Sequence, residues 1–300
     1  MGETIRQGLV GFRANIRIWL WLFVGRVGLA LLLTLPLLAV ADSSLSNSTF
    51  ASALSRSWSL DVLNELFSSS ENLLTTFLVV LVFYSVLVFL LKQFVTGGIC
   101  YSFLSNKRVT ARDFFGESGR LFVANLKISL VMLAVYFVLV IIGSMLARLL
   151  PVGVFGHYGS AGLLTLIGRF AVVALVLAVG TLFSDLFRLR VTAYPDLPIG
   201  ESFRVTFDFY RGRLVKCYGI YLVYAVPYGL LWLLIEWLTV QLTGGLGSMV
   251  GVILEMVLFQ LCVLAQQAQS LLVTATLAPM LRKEHPGRFR QVVQGELQFD

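Results

Sequence analysis

Three ionisable side chains stand inside long apolar runs: Arg169, Glu236 and Glu255. Such a group in hydrocarbon costs roughly 2.5–3.5 kcal/mol on insertion scales and usually turns towards protein or water. At about 1.5 Å per residue, their positions along their runs place all three in one layer, roughly 6–11 Å below the same membrane surface. An Arg–Glu pair with a second glutamate beside it fits that layer, and Arg148, at the end of a neighbouring run, can join it. Two chemistries follow. One is a clamp that ties three helices together. The other is a proton or substrate site, because two carboxylates near one arginine keep one carboxylate protonated at neutral pH. Both are lost if each group snorkels outward.

The stretch "LCVLAQQAQSLLVTAT" (261–276) adds amides to the same region. Gln260 and Gln267 are seven residues apart and share a helical face with Thr274, while Gln266 and Gln269 lie on a neighbouring face. Glutamine facing lipid is unfavourable, so this helix is predicted to be interior. Its amides would make interhelical hydrogen bonds of under about 2 kcal/mol each, or line a polar path leading from Glu255. The candidate polar cluster is thus Arg169, Glu236, Glu255, Gln260 and Gln267.

Other chemistry is missing from the sequence. There is no phosphate-binding glycine loop, no HExxH and no GxSxG, and "FGESG" (115–119) lacks the spacing of a nucleophile elbow. His157 and His285 are isolated. Cys100, Cys217 and Cys262 are far apart with no CxxC, which points to neither a disulfide framework nor a zinc site. They read as small apolar packers. No catalytic residue, metal ligand or cofactor is expected, and the longest connections, about 30 residues, are too short for an independent catalytic fold. The expectation is a protein that is not an enzyme.

The elements that must position these residues follow from composition. The chain is 58% hydrophobic and 13% charged, against about 25% charged in ordinary soluble domains. A soluble fold of 300 residues cannot hide that much apolar surface. Six runs are long enough to cross a bilayer core of about 30 Å: roughly 18–41, 73–96, 128–150, 162–187, 217–240 and 249–275. Each must be a helix, because backbone groups in hydrocarbon have to be satisfied within the segment.

The basic residues orient the spans. Segments 1–17, 97–127, 188–216 and 282–300 carry 18 of the 23 Lys and Arg residues, whereas 42–72, 151–161 and 241–248 carry Arg56 alone. The positive-inside bias places the first set, with both termini, in the cytoplasm. The first outer connection agrees, with Asp42, Asp61, Glu65 and Glu71 against one arginine. It also contains a sequon at Asn47, relevant only in a glycosylating host. The pattern Ala39-x-Ala41 resembles a signal-peptidase site, but the apolar run of about 24 residues exceeds the 7–15 of a signal h-region. An uncleaved first span is expected. The net charge of +7, confined to one side, points to anionic lipid headgroups on the cytoplasmic face and not to nucleic acid. The expected architecture is all-α: a single six-helix transmembrane domain over 1–281 and a cytoplasmic tail over 282–300.

Within the spans, Lys92 and Asp185 lie near inner ends, Arg26 lies deeper in span one, Pro227 predicts a kink, and Ala171, Ala174 and Ala178 give span four a face for close packing.

The segments leading into spans one, three and five share a pattern. "IRQGLVGFRANIRI" (5–18) carries Ile5, Leu9, Phe12 and Ile16 beside Arg6 and Arg13, and "FRVTFDFYRGRLVK" (203–216) carries Phe203, Phe207, Tyr210 and Leu214 beside Arg204 and Arg211. The middle lead, "TARDFFGESGRLFVANLK" (110–127), keeps Phe115, Phe122 and Leu126 with Arg112 and Arg120, but Gly116 and Gly119 interrupt its stripe. The rhythm predicts three repeats of about 100 residues, each an interfacial amphipathic helix followed by a transmembrane hairpin. Such a helix lies on the inner leaflet with its apolar side in the headgroup boundary and its arginines on lipid phosphates. Arg6, Arg13, Arg112, Arg120, Arg204 and Arg211 are the expected lipid contacts. Alternatively, the leads serve only to anchor the spans.

The leads, above all "IGESFRVTFDFYRGRLVK" (199–216), together with the long first outer connection, resemble a group of poorly characterised bacterial inner-membrane proteins with six helices. Relatives of that group include the membrane domain fused to some glycerophosphodiester phosphodiesterases. The resemblance spans nearly the whole chain and implies an envelope or lipid-related role. No phosphodiesterase motif is present, so that activity does not carry over. The expected function is membrane-lipid or envelope homeostasis, or support of membrane-protein partners. The alternative is a small secondary transporter or channel using the polar cluster, a class whose folds often arise from internal repeats.

Overall fold

The computed structural model describes residues 1–45, 71–105, 108–149, 160–243 and 249–283. Most of the first outer connection, Asn47, His157, His285 and the tail from residue 284 lie outside the described residues. Among the described residues seven helices follow one another: α1 (Gly2–Ala14), α2 (Ile16–Leu45), α3 (Glu71–Ser105), α4 (Ala111–Arg148), α5 (Ser160–Ala193), α6 (Ile199–Thr243) and α7 (Met249–Arg282). Six of them, α2 to α7, are long and apolar enough to cross a membrane. No strand occurs among the described residues.

The helices overrun the apolar stretches that announce them. α4 has 38 residues, a rise of about 57 Å, well beyond a hydrocarbon core of about 30 Å. Its first turns, including Arg112 and Arg120, therefore form one rod with the span that follows. The middle lead is not the separate interfacial helix that the sequence suggested. Thr110 caps this rod: its Oγ1 accepts from the Asp113 N–H at 3.2 Å and donates to the Asp113 carboxylate at 2.7 Å, which satisfies donors a helix N-terminus would leave open.

The other two leads are set off by backbone breaks. α1 ends at Asn15, with φ −115° and ψ 25°. Within α6 the break comes at Arg213, with φ −132° and ψ 18°. At this break, fourteen residues before Pro227, the Arg213 guanidinium covers the Phe209 ring at 4.2 Å.

The chain divides into two compact units. The first comprises Met1–Ile16, Gln93–Gly229 and Ala268 onward, and α5 is its axis: Leu182, Leu186, Phe187 and Leu189 are fully buried. α6 runs antiparallel beside it. Tyr210 Oη donates to the Val179 carbonyl at 3.1 Å and Tyr218 Oη to the Leu175 carbonyl at 3.3 Å. Phe183 and Phe187 receive Phe203 edge-on, with centroids 5.1 and 5.6 Å away. Phe203, Phe207 and Tyr210, expected to enter lipid, thus partly wrap α5 instead.

Glycines sit at close helix approaches in this unit. A Cβ on Gly98 of α3 would stand 2.7 Å from the Phe114 carbonyl of α4, and one on Gly180 of α5 would meet the Leu139 side chain of α4. Ala171 and Ala174, predicted to pack, are exposed, while Ala178 is buried. Close packing on α5 therefore falls lower on the helix than the alanine spacing implied.

The second unit comprises Arg17–Lys92 and Leu230–Gln267. Trp19 Nε1 of α2 donates to the Leu264 carbonyl of α7 at 3.1 Å. Leu31, Leu32, Leu35, Val82, Leu230 and Leu233 are exposed. Apolar surface of that extent would drive aggregation in water. In hydrocarbon it is the normal exterior of a spanning helix, and the chain is an integral membrane protein on that evidence.

Candidate functional site

The most connected polar group in the first unit lies where α3, α4 and α5 meet. Arg188 of α5 donates through Nη2 to Ser129 Oγ of α4 at 2.8 Å and to Gln93 Oε1 of α3 at 3.2 Å, and Ser129 Oγ donates in turn to Gln93 Oε1. Gln93 and Ser129 are buried and Arg188 is half-buried. Cys100, also buried, lies in the field of Asp185 and Arg188. Both hydrogen-bonding roles of the Ser129 hydroxyl are taken within the triangle. It acts as a relay between an amide and a guanidinium and is not poised as a nucleophile. The arrangement pins three helices at one height and holds a cation in a buried setting. Arg188 Nε, buried, has no hydrogen-bond partner among the described residues.

A second junction joins α1 to the first unit. A Cβ on Gly8 would run into Thr276 Oγ1 of α7. Thr276 in turn pairs with Tyr224 Oη of α6 at 2.9 Å. Asn15 Oδ1, at the end of α1, accepts from the Val109 N–H at 3.3 Å. The face of α1 turned to the protein is thus Thr4, Gly8 and Asn15, all buried. Leu9, Val10 and Ile16 are exposed, as are Arg6 and Arg13. Ile5 and Phe12 are half-buried.

The remaining basic residues of the leads are also on the surface. Arg112, Arg204 and Arg211 are exposed, and Arg120 is exposed with its guanidinium 2.6 Å from Glu117 one turn earlier.

The residues of the sequence-derived polar cluster are divided between the units. Arg169 belongs to the first, where it is half-buried. Glu236, Glu255, Gln260 and Gln267 belong to the second. Glu236, Glu255 and Gln260 are exposed side chains. Gln267 is half-buried, and its Oε1 is buried with no hydrogen-bond partner among the described residues. The prediction of an interior α7 fits Leu271 to Leu281, which are nearly all buried, and does not fit the half that carries Glu255 and Gln260. No group of three or more His, Cys, Asp or Glu able to hold a metal ion occurs among the described residues.

Sequence reasoning missed the Gln93–Ser129–Arg188 triangle because it ended spans two and four at residues 96 and 187 and began span three at 128. Gln93 and Ser129 thus fell near the ends of their spans with no role assigned, and Arg188 at the start of the cytoplasmic connection 188–216. The helices continue to Ser105 and Ala193, which turns those boundary residues into packed positions. The signal was present in their common height: all three sit at the same ends of their spans.

The chain matches no protein-family model, no curated protein and no solved structure.

Proposed function

We propose that this is a multi-pass protein of a bacterial inner membrane, with both termini in the cytoplasm, that engages the anionic inner leaflet through basic amphipathic segments and serves envelope or membrane-lipid homeostasis without catalysing a reaction. The supporting observation is the division of α1. Its small and polar face is docked on α7 through Gly8, and Leu9, Val10, Arg6 and Arg13 are left exposed together. An exposed apolar edge bearing arginines suits the headgroup boundary of a negatively charged leaflet. α6 repeats the pairing with exposed Phe207, Leu214, Arg204 and Arg211. The distribution of Lys and Arg among the connections supports the orientation. The resemblance of the leads to six-helix inner-membrane proteins supports the lipid-related role.

The test is charge reversal. Arg204→Glu with Arg211→Glu is expected to weaken association with vesicles containing anionic lipid by at least about tenfold, at about 1 kcal/mol per basic residue near the surface. Association with neutral phosphatidylcholine vesicles stays unchanged. Equal association of variant and wild type with anionic vesicles would reject the reading.

One observation favours a second reading, a small secondary transporter. The buried Gln267 acceptor, without a hydrogen-bond partner among the described residues, lies on the helix that carries Glu255 and Gln260. An unsatisfied acceptor at membrane depth suits a wet or ligand-binding position. That reading requires Glu255→Gln to abolish flux of a transported solute in proteoliposomes.

A further inference from the structure

The second unit carries one cation and two carboxylates within its spanning stretches: Arg26 of α2, Glu236 of α6 and Glu255 of α7. All three are exposed, and none has a hydrogen bond or ion pair among the described residues. The exposure of Arg26 is at odds with its place on the helix. Leu22, Phe23, Leu29 and Ala30, one turn before and after it on the same side, are half-buried, whereas Leu20, Val24, Gly28 and Leu31 on the opposite side are exposed. Arg26 therefore stands on the covered side of α2, at a point where the neighbouring helices leave a gap.

The hydrogen bond from Trp19 Nε1 to the Leu264 carbonyl, 3.1 Å long, fixes the heights. Successive spans alternate in direction, so α2 and α7, the first and the sixth, run oppositely. Arg26, seven residues after Trp19, and Glu255, nine before Leu264, then rise to the same side of that contact, by about 10 and 14 Å. Glu255 shares its face of α7 with half-buried Leu258 and buried Cys262, three and seven residues further on, and Cys262 lies in the field of Glu236. The two carboxylates thus border one side of α7, with Arg26 between them in height. α3, the remaining helix of this unit, brings Tyr84 as its one ionisable side chain between Glu71 and Lys92. Arg26 takes the place that the sequence assigned to Arg169, which belongs to the other unit.

A charge turned to hydrocarbon costs roughly 2.5–3.5 kcal/mol, and ionisable groups within spans face protein or a water-filled space. Three of them in one stretch of one unit favour such a space. One arginine offsets one of the two carboxylates, so the set keeps one negative charge. Where water is scarce, two like-charged carboxylates are relieved by an added cation. We infer that the second unit holds a monovalent-cation site, in which Glu236 and Glu255 share one bound positive charge, a proton or an alkali ion, and Arg26 limits the affinity by supplying an opposing charge. The inference rests on the transporter reading for its purpose and deepens it by naming the ligand class. Binding itself is measurable without flux.

Infrared difference spectroscopy of the carboxylate bands, on the full chain in lipid nanodiscs, tests this. NaCl is exchanged against choline chloride at fixed pH, and pH is varied in choline chloride. The signal of the site is the wild-type response minus that of the Glu236→Gln, Glu255→Gln double variant. A difference in the NaCl series assigns an alkali ion, and a difference in the pH series alone assigns a proton. Glu236→Gln and Glu255→Gln should each weaken binding by about tenfold, whereas Arg26→Gln should strengthen it by about tenfold. Shifts of opposite sign do not arise from a general loss of packing. If Arg26→Gln fails to fold, the single glutamate variants carry the test, and Arg26→Lys, which keeps the charge, should bind as wild type does. Equal responses of wild type and double variant in both series overturn the inference, as does weaker binding in Arg26→Gln. A wild-type signal without solute flux in proteoliposomes would remove the transporter reading and leave this site standing. Flux that depends on Glu255 without such a signal would do the reverse.

Discussion

Asn15 and Arg213 break their helices in nearly the same backbone conformation, φ −115°, ψ 25° and φ −132°, ψ 18°, each eleven residues after a buried hydroxyl, Thr4 or Ser202. Gly8 and Thr206 occupy the matching buried positions between. Asn15 fixes its own break through the side chain, which accepts from the Val109 N–H and donates to the Gly11 carbonyl. Asn15→Ala is therefore expected to lower stability by about 1 kcal/mol. Unfolding titrations of the full chain in mixed micelles measure it.

The Gly8 contact gives a sharper test. Gly8→Val forces a branched side chain into Thr276 and should undock α1, exposing residues 1–14 to limited proteolysis. Gly11→Val, at a position with open space beyond it, should leave the protease pattern unchanged. Equal protection in both variants would mean that α1 is held elsewhere.

The Gln93–Ser129–Arg188 triangle predicts coupling between helices. Ser129→Ala and Arg188→Met should each destabilise the protein, and their double-mutant cycle should give about 1 kcal/mol, within the range found for hydrogen bonds between membrane helices. A cycle that sums to zero would show the two groups to be energetically independent.

The proposed orientation is open to labelling. The three native cysteines are buried, so the background reaction with a membrane-impermeant maleimide is low. In intact cells Ser57→Cys should react and Gly200→Cys should not; the reverse pattern would invert the protein and reassign its leaflets.

Much of this fold was legible because hydrocarbon imposes a narrow rule: an apolar run of sufficient length has to be helical. All six spans were readable on that rule. Their ends were not, since a helix continues past the apolar layer wherever another helix satisfies its polar side chains, as Gln93 and Ser129 show at α3 and α4. Interior faces were also misjudged. Ala171 and Ala174 suggested close packing by size and spacing, whereas Gly180 makes it, because removal of a Cβ permits an approach that alanine does not. The leads were legible as basic and apolar. Sequence could not reveal that Phe203 would turn onto Phe187, because lipid and a phenyl ring are equally good neighbours for an aromatic side chain.

The triangle also bears on biogenesis. Gln93 and Ser129 emerge from the ribosome well before Arg188, and chains fold from the N-terminus as they are made. When α5 follows, the amide and hydroxyl that receive its arginine are already in the chain, so Arg188 meets both acceptors as soon as its helix packs. A chain lacking α3 would leave Arg188 with Ser129 and without Gln93, and α5 should be held less firmly against α4.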